Sequence, residues 1–143
     1  MYGITHIIDI LHTKGCSCVI QNGDRIAEFF GRGVLDLYET LQSDPSLLAG
    51  ATVADKVVGK GAAALMILGG VAQVYADVLS ESAAALFTSE GIAFDCGKLV
   101  PAIINRAGTG ICPVETLTAD CTTAEECLPL ISDFLTRMKG SAK

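Results

Sequence analysis

Lys56 and Lys60 stand four residues apart in a stretch that is otherwise nearly uncharged. Between Pro45 and Ala76 the only other charged residue is Asp55. Read as the start of a helix, Thr52, Lys56 and Lys60 lie one turn apart on one face. Two ammonium groups at a helix N-terminus oppose the macrodipole, which prefers anions there. They fit if an anion sits in front of them, where the free N–H groups of the first turn would join the site. Gly59 and Gly61 each lower helix propensity by about 1 kcal/mol relative to Ala, so close approach of a backbone or a ligand must offset them. The plainer alternative is that both lysines run along the surface with their heads in water and Asp55 only caps the helix.

Two further segments carry chemistry-bearing residues. Asp77-Val78-Leu79-Ser80-Glu81-Ser82 leads from a predicted strand into a predicted helix. In open α/β sheets ligands gather at the carboxyl ends of strands, where helix N-termini point. Ser80 as an N-cap and nothing more is the alternative there. The third segment is Asn105-Arg106-Ala107-Gly108-Thr109-Gly110-Ile111-Cys112-Pro113-Val114-Glu115. Its Gly-Thr-Gly could turn backbone N–H groups toward a phosphate, although the Lys-Ser/Thr of a P-loop does not follow. Cys112 as a nucleophile needs a nearby His or positive charge; Arg106 could serve, and no His lies close in sequence. An ordinary loop with a structural thiol is the alternative.

The elements that must position these residues follow from periodicity and turn signals. Ile4, Ile7, Ile8 and Leu11 predict a first helix, stopped by Gly15. Strands at 16–21 and 24–30 flank Asn22-Gly23, a hairpin signal. Val34, Leu37, Tyr38 and Leu41 predict a second helix that ends before Asp44-Pro45. A long apolar helix is predicted from Thr52, with Asp55 completing a capping-box-like pair, through Leu68 to Gly69-Gly70. Then come a buried strand at Val71–Ala76, a helix at Ser80–Glu90 and strands at Ile92–Asp95 and Leu99–Ile104. Pro101 places the last of these at an edge or at a strand start. Asn105–Gly110 reads as a loop. Thr122 and Glu125 predict the cap of a final helix reaching about Lys139, with Pro129 moving its start toward Leu128. Alternating strands and helices argue α/β layers around a mixed sheet, in a single domain over residues 1–143.

Composition narrows the function classes. The chain has 143 residues, 50% hydrophobic and 18% charged, with a formal net charge of −6. That excludes disorder and the basic footprint of a duplex nucleic-acid binder. The N-terminus lacks the basic and apolar regions of a signal peptide. The longest uncharged run, Gly61–Ala76, is shorter than the roughly 20 residues of a spanning helix. A soluble, cytoplasmic protein without membrane contact is expected. Of six cysteines, Cys16 and Cys18 are expected on one strand face with Ile20, as buried structural thiols.

Val53-Ala54-Asp55-Lys56-Val57-Val58-Gly59-Lys60-Gly61-Ala62-Ala63-Ala64, together with Asn105-Arg106, Gly108-Thr109-Gly110 and Cys112-Pro113-Val114-Glu115, resembles a family of small prokaryotic proteins of unknown function grouped with the cytidine deaminase-like fold. The resemblance spans nearly the whole chain. It implies a three-layer α/β/α sandwich with a mixed sheet. Zinc deaminases need a His or Cys with a Glu two positions on at one helix start, and Pro-Cys-x-x-Cys at the next. The matching segments here, Val53-Ala54-Asp55 and Leu79–Ala83, carry no such ligands, so zinc is not expected. What the resemblance leaves is a pocket faced by two helix N-termini, near Asp55 and Ser80, and relined by lysines.

The leading expectation is therefore a protein that binds, or acts on, a nucleotide-like or phosphorylated small molecule. Lys56, Lys60, Ser80, Arg106 and Glu115 would form the binding site. Asp55 or Glu81 would be the general base and Cys112 the nucleophile if a reaction occurs. The alternative is a non-catalytic protein-interaction or self-association module, a homo-oligomer. A residual deaminase is the weakest reading.

Overall fold

The structure is a computed structural model that describes residues 4–31, 33–104 and 108–141. Its centre is a strand where the sequence pattern predicts a helix. Thr52–Val58 forms β3, and α3 starts only at Lys60 and runs to Gly69. Thr52, Val53, Val57 and Val58 are β-branched and lose rotamer freedom in a helix. In the sheet they pair on both sides, antiparallel with β1 (Cys18–Asn22) and parallel with β4 (Gln73–Ser80). Gly59 separates strand from helix in an extended conformation. This corrects the shared helical face of Thr52, Lys56 and Lys60: the first two belong to a strand, the third to the helix after it.

Five strands form one sheet in the order β2-β1-β3-β4-β5. The hairpin partner β2 spans Arg25–Phe29, and Asn22 pairs with Arg25. The two-residue loop is thus Gly23-Asp24, one position beyond the expected turn. Gly23 carries φ 60°, the positive value that the first loop position of a type II′ turn requires. The freed Asn22 side chain donates to the Ser46, Leu47 and Ala49 carbonyls at 3.0, 3.1 and 2.7 Å, tying the hairpin to the 3-10 turn Pro45–Leu47.

The last strand, β5 (Ala93–Val100), is parallel to β4 and joins most of the first of the two strands that the sequence predicts there to the first two residues of the second. Gly97 does not interrupt it: a Cβ there would lie 2.9 Å from the Asp77 carbonyl oxygen, so the neighbouring backbone demands glycine. Ile104 lies outside the strand and bridges Ile111.

Helices cover both faces. On one side α1 (Ile4–Lys14) packs Ile7 and Leu11 on Val19 and Ala54, with Cys16 in the same cluster. Cys16 thus faces away from Cys18 and Ile20, because it precedes β1. On the other side lie α2 (Gly33–Ser43), α3, α4 (Glu81–Ser89), α5 (Pro113–Thr118) and α6 (Ala124–Ser141). Eight of the ten residues of α3 are buried, and it touches each of those helices. The cap of α6 lies one residue beyond the predicted pair. Thr123 Oγ1 accepts from the Glu126 amide at 3.2 Å, and Glu126 Oε1 accepts from the Thr123 amide at 3.1 Å. Pro129 stands inside this helix instead of near its start.

The glycines of α3 reflect close packing. A Cβ on Gly61 would fall 2.3 Å from Val114 Cγ1. Alanine is the better helix former by about 1 kcal/mol, yet overpacking of this kind typically costs about 1–3 kcal/mol. Gly61→Ala is therefore expected to lower stability in urea unfolding, and Val114→Ala to restore part of the loss in the double variant. A Gly61→Ala protein as stable as wild type would show that α5 is not seated against α3.

Candidate functional site

The parallel order β3-α3-β4-α4-β5 brings the carboxyl end of β3 to the N-terminus of α3, the usual ligand position in α/β sheets. A cleft of about 830 Å³ opens there. Its walls come from α2 (Val34, Leu35), α6 (Phe134, Leu135, Met138), the loop residues Ile103 and Ile104, and Val114 of α5. Asp55, Lys56, Gly59, Gly61, Cys112 and Glu115 also line it. The lining is mostly apolar, with few polar groups.

Asp55 is the most unusual of those groups. It is only 2% exposed. Its Oδ1 accepts from the Val57 amide at 3.3 Å, and its Oδ2 is buried with no hydrogen-bond partner. Burial is the main cause that raises its pKa to about 7; the nearby Val57 and Lys56 amides and Cys18 thiol pull the other way, and the Asp36 charge acts with burial. Cys18 lies directly across from it on β1, and burial holds that thiol well above its usual range. Asp36, in the first turn of α2, also has a buried Oδ2 without a partner. Burial raises its pKa, and the Glu39 charge adds to the rise. Sequence reasoning missed Asp36, since an acid in a first helical turn is commonplace.

Glu115 shapes one wall. Its Oε1 accepts from the Lys60 amide at 2.7 Å and its Oε2 from the Ile103 amide at 3.1 Å. The Ser80 hydroxyl lies 3.5 Å from Oε1. A side-chain carboxylate from α5 thus takes an orphan N–H of α3 and suits the positive end of its dipole. Gly59 makes room for it: a Cβ there would sit 2.7 Å from Glu115 Oε1. The spacing Gly59-x-Gly61 was the sequence signal for this close approach.

The expected site residues separate into three sets. Asp55, Lys56, Cys112 and Glu115 meet at the cleft. Lys56 is exposed there, and Cys112 is the half-buried N-cap of α5. Lys60, Ser80 and Glu81 do not line it. Lys60 is buried, and its ammonium donates to the Ala119 carbonyl at 3.3 Å and to the Cys121 carbonyl, beyond the end of α5. That corrects its expected role beside Lys56: the head is committed to carbonyls. Ser80 is fully buried and caps α4, its hydroxyl accepting from the Ala83 amide at 3.2 Å. Glu81 is exposed in the first turn of α4. Arg106 lies outside the described residues. Among the described residues no three His, Cys, Asp or Glu side chains are grouped to hold a metal ion, and no helix is long and apolar enough to cross a membrane.

The Asp55 carboxyl makes folding proton-linked. Folded, it keeps its proton to about pH 7; unfolded, it loses it near the ordinary value of about 3.9. Between these values folding takes up a proton, so stability falls as pH rises through the window and levels off above it. Asp55→Asn removes this loss. Its melting temperature is expected to exceed that of wild type by more at pH 8 than at pH 5. An equal difference at both values would place the carboxyl in an ordinary, ionised state.

Comparison with known proteins agrees with this fold. Residues 6–135 match the family model TM1506, described as a domain of unknown function, DUF1893. The crystal structure of a DUF1893 family protein, TM1506 from Thermotoga maritima, superposes with a TM-score of 0.78 at 26% identity, covering 94% of this chain and 88% of that one. No curated protein matches. With the family model covering all but the ends of the chain, this α/β protein belongs to the DUF1893 family.

Proposed function

We propose that the protein binds a nucleotide-like small molecule in the cleft at the head of α3, on a cytidine deaminase-like α/β/α sandwich that lacks the zinc ligands. Support for the sandwich comes from the strand order, with three parallel strands feeding α3 and α4 from one edge. The two helix starts read Gly59-Lys60-Gly61-Ala62 and Ser80-Glu81-Ser82-Ala83. Neither carries a His or Cys, so the chemistry of a zinc-activated water has no donors at either place. Val53-Ala54-Asp55, matched to the first of these starts on sequence alone, lies within β3 instead.

The observation that carries the binding reading is an apolar cleft of ligand size with a buried, unpartnered carboxyl oxygen in its wall. Small-molecule sites are mostly apolar, span roughly 300–1,000 Å³ and hold a few placed polar groups. A ring system fits between the α2 and α6 walls, with its hydrogen-bond donors turned to Asp55. Among the described residues Lys56 is the exposed cation on the lining, so a phosphate belongs outward beside it. This changes the expected arrangement, in which Lys56 and Lys60 held the anion together with Arg106 and the N–H groups near Ser80.

Thermal-shift and calorimetric titration with nucleosides and nucleotides tests the reading. A ligand at 100 times its Kd is expected to stabilise the wild type by about 2.7 kcal/mol. Val57→Trp, which places a large side chain on the half-exposed lining, is expected to abolish the response. Lys56→Ala is expected to weaken phosphorylated ligands and leave nucleosides unchanged. No response from any compound, or the same response in Val57→Trp, would contradict a nucleotide site in this cleft.

A further inference from the structure

The inner end of the cleft has a charge character that the nucleotide reading does not use. Among the described residues, two buried side-chain polar atoms have no hydrogen-bond partner, and both are carboxyl oxygens: Oδ2 of Asp55 and Oδ2 of Asp36. Asp55 lines the cleft beside Val34 and Leu35 of α2, the two residues before Asp36. Asp36 itself is not on the lining, and its charge acts on Asp55 from α2. Gly31, also on the lining, would place a Cβ 3.0 Å from Asp36 Oδ2. Neither acid forms an ion pair among the described residues. The buried cation among the described residues, Lys60, donates to the carbonyls of Ala119 and Cys121.

A buried acceptor without a donor is costly, and a like-charged neighbour adds to the cost. A neutral N–H donor would satisfy one oxygen and leave the repulsion. A cation would satisfy the Asp55 oxygen through a charge-assisted bond and offset the charge of both acids. We propose that the ligand enters the cleft with a positively charged nitrogen group foremost, an ammonium, guanidinium or amidinium, and seats it against Asp55, within the field of Asp36. The carbon skeleton behind that group then lies on the apolar walls. In a nucleotide the same place falls to a protonatable, amino-substituted base. This inference rests on the cleft being a ligand site and adds the polarity of its occupant.

The test uses a matched pair of probes, benzamidine as the cation and benzamide as its neutral isostere, with the apolar dye Nile red reporting access to the cleft. Benzamidine is expected to bind wild type at least about tenfold more tightly than benzamide, as charge-assisted bonds require. The preference should shrink in Asp55→Asn and in Asp36→Asn, each checked for folding by circular dichroism. Because both probes are compared on the wild-type protein, the expectation stands even if a variant misfolds. Equal binding of the two probes, or a preference that survives in both variants, overturns the cationic head group. If neither probe binds while Nile red is bound and Val57→Trp expels it, the cation inference fails and the cleft reading stands. If Nile red binding is indifferent to Val57→Trp and neither probe binds, both fail.

Discussion

The arrangement depends on how closely α5 sits against the head of α3. Two glycines permit the approach, Gly59 leaving room for the Glu115 carboxylate and Gly61 for Val114. Once seated, Glu115 holds together three parts of the chain that are distant in sequence: the Lys60 amide, the Ile103 amide and the Ser80 hydroxyl. Lys60 fastens the same contact from the other end, through carbonyls beyond α5. A negative group on the positive end of one helix and a cation beyond the end of another are mutually consistent. Residues that sequence reasoning assigns to a ligand are thus the ones that close the wall of the cleft.

The interior of the cleft follows from that closure. With Lys60 and Glu115 committed to the wall, the polar groups left facing the space are few, and its inner end is acidic. Asp55 belongs to the central strand, where its neighbours are fixed by the sheet, and it is almost wholly buried. A desolvated carboxyl with a free oxygen favours its neutral form. A proton, a donor or a cation relieves the strain of that position. Groups of this kind concentrate at functional sites, because a fold without use for them tends to replace them with packed hydrocarbon.

Much of the fold was legible in the sequence. The hairpin, the helices on either side of it and the helix capped by Ser80 follow from local signals, and the structure shows each within a few residues. The central error was Thr52–Val58. Val53, Ala54 and Asp55 are buried in succession, so no alternation marks the run as a strand, and its Ala-rich continuation extends a helical pattern backward over it. Only pairing with two neighbours decides the matter, and pairing is not local. The same error placed Lys56 and Lys60 on one face. At the site, Asp55 was legible as a candidate general base, though placed at a helix start, and Cys112 as a candidate nucleophile beside the Gly-Thr-Gly loop. Asp36 was not, since its character comes from the burial of one carboxyl oxygen against Gly31, which a single sequence does not encode locally.

The protonation state of Asp55 carries the account, because an ordinary ionised carboxylate there would mean a solvated or paired group and no vacant acceptor. Carbon-13 NMR of selectively labelled aspartate carboxyls, followed over pH in the ligand-free protein, measures it directly. The account predicts an Asp55 midpoint near pH 7. A midpoint near the usual carboxylate value of about 3.9 would contradict it.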